Sequence, residues 1–177
     1  MDLGFLILCP NKDDLALRNT VRSIRHYSER DIISVVGDNA SPHDIKKMKE
    51  WCSDVYKGKD TITSLLNTGM KRIKNDWAFI LFEGSIIRPM LERKLCRFVT
   101  SEKDIIFPVV AGKYNFVEGS CNGILVNRNT FKEVGDFPAA SMSREDFNEF
   151  EVSKMFWAED AISKGCQFKG IVGLRIL

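Results

Sequence analysis

The chain has 177 residues, of which 44% are hydrophobic and 28% are charged, a composition that excludes a disordered protein. Its net charge is only +2, from 26 basic and 24 acidic side chains, so we expect no dedicated nucleic-acid surface. The longest apolar runs, Leu3 to Cys9 and Trp77 to Phe82, are too short to span a bilayer, and no basic residue precedes the first. We therefore expect neither a transmembrane segment nor a secretory signal.

Cysteine usage favours a reducing compartment. The five cysteines are odd in number and scattered, no CxxC pair occurs, and the chain has only two histidines. This pattern argues against a structural zinc site or a disulfide framework. Free thiols in a cytoplasmic protein are the simplest interpretation.

The first part of the chain alternates short apolar runs with helical patterns. Phe5 to Leu8 predicts a buried strand, and Asp13 or Asp14 can cap the helix that follows. Ile32 to Val36 predicts a second strand, after which Ser41-Pro42 opens a helix that we expect to include Cys52. A short third strand is expected at residues 54–57.

The same alternation continues through the middle of the chain. A helix from Thr61, the strand Trp77 to Phe82, a helix around Leu95 and the strand Ile105 to Val110 follow in order. This order predicts an α/β fold with an open, mainly parallel sheet and helices on both faces. We expect four residues to lie on neighbouring strands, namely Leu6, Val35, Ile80 and Ile106.

The last part of the chain is more mixed. After a loop comes the apolar run Gly123 to Val126, then a short helix at Phe131, a longer helix from about Phe150 to Lys164, and a last strand from Phe168 to Leu174. No repeat, low-complexity tract or linker interrupts the sequence. A single domain covering residues 1–177 is therefore expected.

Polar residues follow three of the predicted strands, at the ends where open α/β sheets bind ligands. They are Pro10-Asn11, Asp38 to Ser41, and Glu83 to Ser85. Neither a GxGxxG nor a Walker loop is present, which removes the main support for a dinucleotide or P-loop site. Asp38 to Ser41 has a second interpretation, because Asp, Asn and Ser also favour turns and helix caps. Glu83 is open to the same alternative, as an exposed acid after a buried strand.

An ordered series of local matches resembles the GT-A glycosyltransferases, especially the large inverting group built on two abutting βαβ halves. Leu6 to Asn11 is similar to that family's opening strand, and Val35 to Ser41 to its second strand with an acidic end. Leu66 to Gly69 falls at the family's Arg-Asn-x-Gly, with Leu66 in place of the arginine. Trp77 to Ser85 falls at the strand that runs into the Asp-x-Asp signature, and Gly119 to Pro138 at the segment R-x-x-F-x-x-x-G-G-F.

The resemblance implies a donor site, in which Asp38 contacts the nucleotide base. The residues it implies for nucleotide binding are Pro10, Asn11, Asp38, Asn39, Ser41 and Asn67. The metal ligands implied at the Asp-x-Asp position are Glu83 and Ser85. Since Ser85 supplies a neutral hydroxyl where the family has a carboxylate, we expect manganese or magnesium to bind weakly or only together with the nucleotide.

The catalytic base that the resemblance implies is an acidic residue at the start of the helix that ends in a glycine, here Gly165. Four acidic residues precede that helix or begin it, namely Glu145, Asp146, Glu149 and Glu151. Glu151 is the one we assign, because it directly precedes the apolar stripe that starts at Val152. None of the four has the family's usual spacing to the glycine.

The resemblance implies transfer of a sugar from a nucleotide-diphosphate donor to a hydroxyl acceptor, which is an unidentified glycan, protein or small molecule. An acidic residue, acting as a base through its carboxylate, would deprotonate the acceptor hydroxyl for in-line attack at the anomeric carbon. The alternative is a catalytically inactive nucleotide-binding or protein-interaction module, which keeps the fold and has lost the chemistry. The degenerate Asp-x-Asp signature keeps both interpretations open.

Overall fold

A computed structural model of the chain describes residues 1–109, 116–117, 122–139 and 149–172. The strands are β1 Leu3–Cys9, β2 Ile32–Gly37, β3 Asp54–Gly58, β4 Trp77–Phe82, β5 Asp104–Val109, β6 Ile124–Asn127 and β7 Gln167–Val172. The helices are α1 Asp14–Tyr27, α2 Pro42–Met48, α3 Ile62–Arg72, α4 Leu91–Phe98, α5 Arg128–Val134 and α6 Glu149–Ser163.

All the described strands form one sheet in the order β3-β2-β1-β4-β6-β5-β7. Only β6 runs antiparallel to its neighbours β4 and β5, so the prediction of a mainly parallel α/β sheet is confirmed. Leu6 of β1 pairs with Ile80 of β4, and Val35 of β2 pairs with Leu8 of β1. The expected position of Ile106 is wrong by one strand, because β6 separates β5 from β4 and places Leu125 beside it.

The first strand is central and determines how the layers form. Every residue of β1 is buried, with β2 on one side and β4 on the other. Phe5 and Ile7 point into one apolar core, while Leu6 and Leu8 point into a second core on the opposite face. This is the strict two-face alternation of a strand, and it requires helices on both sides of the sheet.

Helices α1, α2 and α4 contribute to the first core, and helices α3, α5 and α6 to the second, so helices cover both faces as the sequence predicts. Asp13 caps α1 by accepting the amide proton of Ala16 at 3.0 Å. Ser41 caps α2, with Pro42 in its first turn, and the Asp44 carboxylate accepts the Ser41 amide proton in return. The expected extension of α2 to Cys52 is wrong: the helix ends at Met48, and the following turns lead into β3 through the bond from the Ser53 amide to the Ile32 carbonyl.

Strands β1, β2, β3 and β4 end at one edge of the sheet, which we call the carboxyl edge. Helix α6 begins on this side, because β7 runs parallel to β5 and only the short turn after Ser163 separates α6 from β7. The expected helix from Phe150 to Lys164 is thereby confirmed within one residue at each end. The described part of the last strand is Gln167–Val172, which begins one residue before the predicted start. Residues 173 and 174 of the predicted strand lie outside the described part of the chain.

Helix α3 approaches β1 so closely that only glycine fits between them. A Cβ at Gly69 would lie 2.3 Å from Cδ1 of Leu6, whose side chain is fully buried. We therefore expect Gly69→Val to lower the free energy of unfolding by about 2–3 kcal/mol through overpacking, measured by urea denaturation. The matched variant Thr68→Val, half-buried on the same helix, should change it by less than about 1 kcal/mol. Equal stability of the two variants would show that α3 shifts away from the sheet.

Candidate functional site

Three loops lie side by side at the carboxyl edge, because they follow the paired strands β1, β2 and β4. The β1–α1 loop comprises residues 10–13, the β2–α2 loop residues 38–41, and the β4 turn residues 83–85. These loops carry most of the site residues predicted from the sequence. The buried strands below them are almost entirely apolar, so polar side chains concentrate at this edge.

The carboxylate of Glu83 is held by the backbone of the β1–α1 loop. Its Oε1 accepts the amide proton of Asn11 at 2.6 Å, and its Oε2 accepts that of Asp13 at 2.9 Å. Burial raises the pKa of Glu83 above its ordinary value, while the bonds from Asn11 and Asp13 act in the opposite direction. The sequence places Glu83 and Asn11 apart by 72 residues, and the sheet brings them into direct contact.

A residue in the left-handed backbone conformation shapes the loop that receives this carboxylate. Lys12 has a φ of 57°, a conformation that most residues avoid and that lets successive amides point to one side. Its side chain crosses to the next loop, where the ammonium group donates a hydrogen bond to the side-chain oxygen of Asn39. Lys12 was not among the residues predicted from the sequence; its position directly after Pro10-Asn11 was the only available signal.

The β2–α2 loop combines exposed polar groups with helix capping. Asp38 and Asn39 are exposed, and the Asp38 carbonyl accepts a bond from the Lys57 ammonium at 3.1 Å. The Ser41 side chain caps α2, so the capping interpretation of this residue is correct for its hydroxyl. None of the hydrogen bonds found among the described residues involves the carboxylate of Asp38. The edge therefore carries two ammonium groups, Lys12 and Lys57, beside this loop.

Ser85 points into the protein. Its residue is only 3% exposed, and its hydroxyl lies 2.6 Å from the Phe82 carbonyl oxygen and 2.9 Å from Oδ1 of Asn122. The same Oδ1 accepts the Phe82 amide proton at 3.1 Å. The positive φ of Gly84, 90°, makes the tight turn that directs the hydroxyl inward. Asn122 was missed from the sequence, since no local motif distinguishes it.

The residues at the Asp-x-Asp position do not fit a protein-held divalent ion. Hard cations need several oxygen ligands that face one point, usually with carboxylates among them. Here both oxygens of Glu83 accept backbone amides, and the Ser85 hydroxyl is engaged inside the turn. Among the described residues, no group of three or more His, Cys, Asp or Glu side chains is arranged to hold a metal.

Asn67 ties helix α3 to the segment that precedes α6. Its Nδ2 donates to the Phe137 carbonyl at 2.9 Å, and its Oδ1 accepts the Phe137 amide proton at 2.9 Å. Phe137 in turn stacks on Trp157 of α6, with ring centroids 4.4 Å apart. The structure thus gives Asn67 two backbone partners 70 residues away, on the face of the sheet that carries α3, rather than in the three strand-end loops.

Glu151 lies in the first turn of α6 and is partly exposed. The neighbouring Phe150 stacks on Phe137, and Ser153 donates to the Pro138 carbonyl at 2.6 Å, which fixes the start of the helix. Because α6 begins near the carboxyl edge, Glu151 lies toward the same edge of the sheet as the strand-end loops. Of the other acids considered for its role, Glu145 and Asp146 lie outside the described residues, as does the side chain of Glu149.

The chain is similar to solved glycosyltransferase structures. It aligns with the mannosyltransferase PcManGT of Pyrobaculum calidifontis, solved with GDP-Man and Mn2+, at a TM-score of 0.70 and 10% identity over 98% of this chain. It aligns with S. aureus TarS 1–349 in complex with UDP at 0.67 and 10% identity, over 99% of this chain. The complex of the same TarS fragment with UDP-GlcNAc gives a TM-score of 0.66 at 9% identity.

These likenesses show that the chain has a GT-A-type glycosyltransferase fold, as the resemblance implied. At the level of sequence, the chain matches no protein-family profile and no curated protein. The chain spans 55% of the PcManGT chain and 57–59% of the TarS 1–349 chains. Among the described residues, none of the helices has the length and apolar character needed to cross a membrane.

The burial of Ser85 generates a test of the Asp-x-Asp position. Ser85→Asp would place a carboxylate against the Phe82 carbonyl and Oδ1 of Asn122, which are both acceptors. We expect it to lower the free energy of unfolding by about 3 kcal/mol, whereas Ser85→Ala, which loses one hydrogen bond, costs about 1 kcal/mol. Urea denaturation measures both. A Ser85→Asp protein as stable as the wild type would mean that this side chain turns outward.

The pair of hydrogen bonds between the Asn67 side chain and the Phe137 backbone generates a second test. Asn67→Ala leaves an amide and a carbonyl of Phe137 without their partner, so we expect a loss of about 2 kcal/mol in unfolding free energy. Thermal and urea unfolding measure the loss, and Asn19→Ala on the exposed face of α1 serves as the control. An Asn67→Ala protein of unchanged stability would contradict the role of this amide in joining the two segments.

Proposed function

We propose that the chain is a single GT-A-like domain, residues 1–177, that binds a nucleotide-diphosphate sugar at the carboxyl edge and transfers the sugar to a hydroxyl acceptor. The observation that carries the proposal is the meeting of the three polar loops at that edge of a GT-A-type sheet. PcManGT and TarS, which share the fold, are solved with GDP-Man, UDP or UDP-GlcNAc. The acceptor is a glycan, a protein or a small molecule.

The donor's base lies against the β1–α1 and β2–α2 loops. The exposed carboxylate of Asp38 accepts hydrogen bonds from the base, and Pro10, Asn11 and Asn39 form the walls of the pocket. Two ammonium groups, Lys12 and Lys57, lie beside these loops and attract the negative diphosphate electrostatically. Ser41 acts through its helix cap, which fixes the end of the β2–α2 loop. Asn67 acts at a distance, by holding the segment before α6.

Glu151 is the group that we propose as the general base. A carboxylate near an acceptor hydroxyl takes its proton as the oxygen attacks the anomeric carbon, and the bond to the diphosphate breaks on the opposite side. The start of α6 is held by Phe150 and Ser153, so Glu151 has a fixed origin from which to reach an acceptor. Manganese or magnesium remains the predicted cofactor only as an ion carried by the nucleotide, since the described side chains do not form its site.

A second function, a binding module without transfer, is favoured by a specific observation. The two residues at the Asp-x-Asp position both have internal partners, Glu83 in the loop amides and Ser85 in its turn. A domain that keeps the pocket and lacks a protein-held metal ion to stabilise the leaving diphosphate would bind a donor without consuming it. The two functions differ in turnover rather than in donor affinity.

Donor binding is tested by calorimetry with UDP, GDP and their sugar conjugates. We expect millimolar or tighter binding of at least one nucleotide, and a loss on the order of tenfold in Asp38→Ala, because a hydrogen bond to the base is removed. Asp31→Ala is the matched control, since this exposed aspartate precedes β2 at the opposite edge of the sheet. Absence of binding for every nucleotide at millimolar concentration would refute the proposed function.

Turnover separates the enzyme from the binding module. We expect release of nucleoside diphosphate from the sugar donor that binds, and we expect Glu151→Gln to reduce it by a factor of about 10² or more while donor affinity stays unchanged. Glu159→Gln, an exposed glutamate on the same helix, should retain wild-type turnover. Donor binding without release under any acceptor or metal condition would favour the binding module.

A further inference from the structure

We propose that Glu83 is a positioning residue: its carboxylate anchors the β1–α1 loop and thereby shapes the donor pocket, rather than ligating a metal. This inference rests on the proposed donor site for its functional part, and on the geometry of the loop for its structural part. It gives a specific task to the acid at the Asp-x-Asp position, and it implies that changes at Glu83 weaken nucleotide binding by the same factor in the presence and absence of divalent ions.

The geometry of the carboxylate carries the proposal. Glu83 lies at the end of β4, half-buried, and each of its two oxygens accepts a separate backbone amide of the neighbouring loop, from Asn11 at 2.6 Å and from Asp13 at 2.9 Å. Amides that surround an anion in this way form a nest, and the left-handed Lys12 between them gives the loop the required curvature. The anion that fills this nest belongs to the protein itself.

The anchor is strong because the alternative is costly. A partly buried carboxylate keeps its charge only when hydrogen-bond donors replace the water that it loses, and the amides of Asn11 and Asp13 do so. Those amides in turn have Glu83 as their acceptor. The Glu83 amide also donates to the Leu8 carbonyl at 3.0 Å, so the residue joins the ends of β1 and β4 through backbone and side chain together.

The anchor extends from the β1–α1 loop to the base pocket. Lys12 lies between the two anchored residues, and its ammonium bonds the side chain of Asn39 in the β2–α2 loop. Release of the carboxylate would therefore free the loop, the position of Lys12 and the orientation of Asn39 in one step. The pocket wall at Asn11 and Asn39 depends on Glu83, although Glu83 need not touch the nucleotide.

Metal ligation would compete with this arrangement. An ion at the same point would draw the carboxylate oxygens away from the amides, and the second ligand at this position, the Ser85 hydroxyl, is held inside its turn. A ligand role predicts that changes at Glu83 weaken nucleotide binding only when manganese is present. A positioning role predicts the same weakening with and without the ion, accompanied by loosening of the loop.

The experiment measures loop amides and nucleotide affinity on the full chain. Amide hydrogen exchange of residues 11–13 is recorded by NMR for the wild type, Glu83→Gln and Glu83→Ala, without any ligand. UDP and GDP are then titrated by calorimetry in EDTA and in manganese. The matched control is Glu92→Gln, because Glu92 is a partly buried glutamate that accepts bonds from Ser28 and Arg30 far from the carboxyl edge.

We expect exchange of the Asn11 and Asp13 amides to accelerate at least tenfold in Glu83→Ala, and less in Glu83→Gln, which keeps one acceptor oxygen. Nucleotide affinity should fall on the order of tenfold in Glu83→Ala by the same factor in EDTA and in manganese. Glu92→Gln should change neither. Unchanged amide exchange in Glu83→Ala would overturn the anchor, and a loss of affinity confined to manganese would establish the metal role instead.

The two failures are distinguishable. If the wild type binds no nucleotide in either condition, the proposed function fails, while the amide exchange still decides whether Glu83 anchors the loop. If Glu83→Ala is unfolded, Glu83→Gln supplies the measurement, since it retains the shape of the side chain and one of the two hydrogen bonds. Faster exchange in that variant supports the anchor, and unchanged exchange overturns it.

Discussion

The complete burial of strand β1 is the constraint on which the rest of the structure depends. Its seven residues have strands on both sides and apolar cores on both faces, so no polar side chain can lie along its length. Helices must therefore cover both faces, and α3 must come close enough that only Gly69 fits against Leu6. What remains for chemistry is the carboxyl edge, where β1 and its neighbours end in loops.

At that edge and on the α3 face of the sheet, the side chains named by sequence motifs are engaged largely with the backbone. Glu83 accepts loop amides, Ser85 closes a turn, Ser41 caps a helix and Asn67 bonds both polar groups of Phe137. At Glu83, Ser85 and Asn67, which are partly or fully buried, these bonds replace water that burial removes. A polar residue at a motif position therefore has two possible tasks, and only the partners of its atoms distinguish them.

The sequence was sufficient for the elements that local rules specify. The apolar runs of β1, β2 and β4 and the caps at Asp13 and Ser41 follow from patterns within a few residues, and the structure confirms them. The direction of β6 did not follow, because four apolar residues after Gly123 fit a strand of either direction. The nest around Glu83 did not follow either, since its donors are backbone amides, which every residue but proline possesses.

The proposed attraction for a diphosphate depends on the charges at the carboxyl edge. The carboxylate of Glu83, at the end of β4, is negative and would by itself repel a diphosphate. The amides of Asn11 and Asp13 donate to its oxygens and partly offset that charge, and the same bonds hold the β1–α1 loop in place. Lys12 and Lys57 then supply positive charge beside the β2–α2 loop, on side chains that bond only to an amide oxygen and a carbonyl oxygen among the described contacts. The salt bridges found among the described residues include neither of these ammonium groups. In the proposed donor site, attraction for phosphate therefore rests on these two cations, and the carboxylate of Glu83 serves the shape of the pocket.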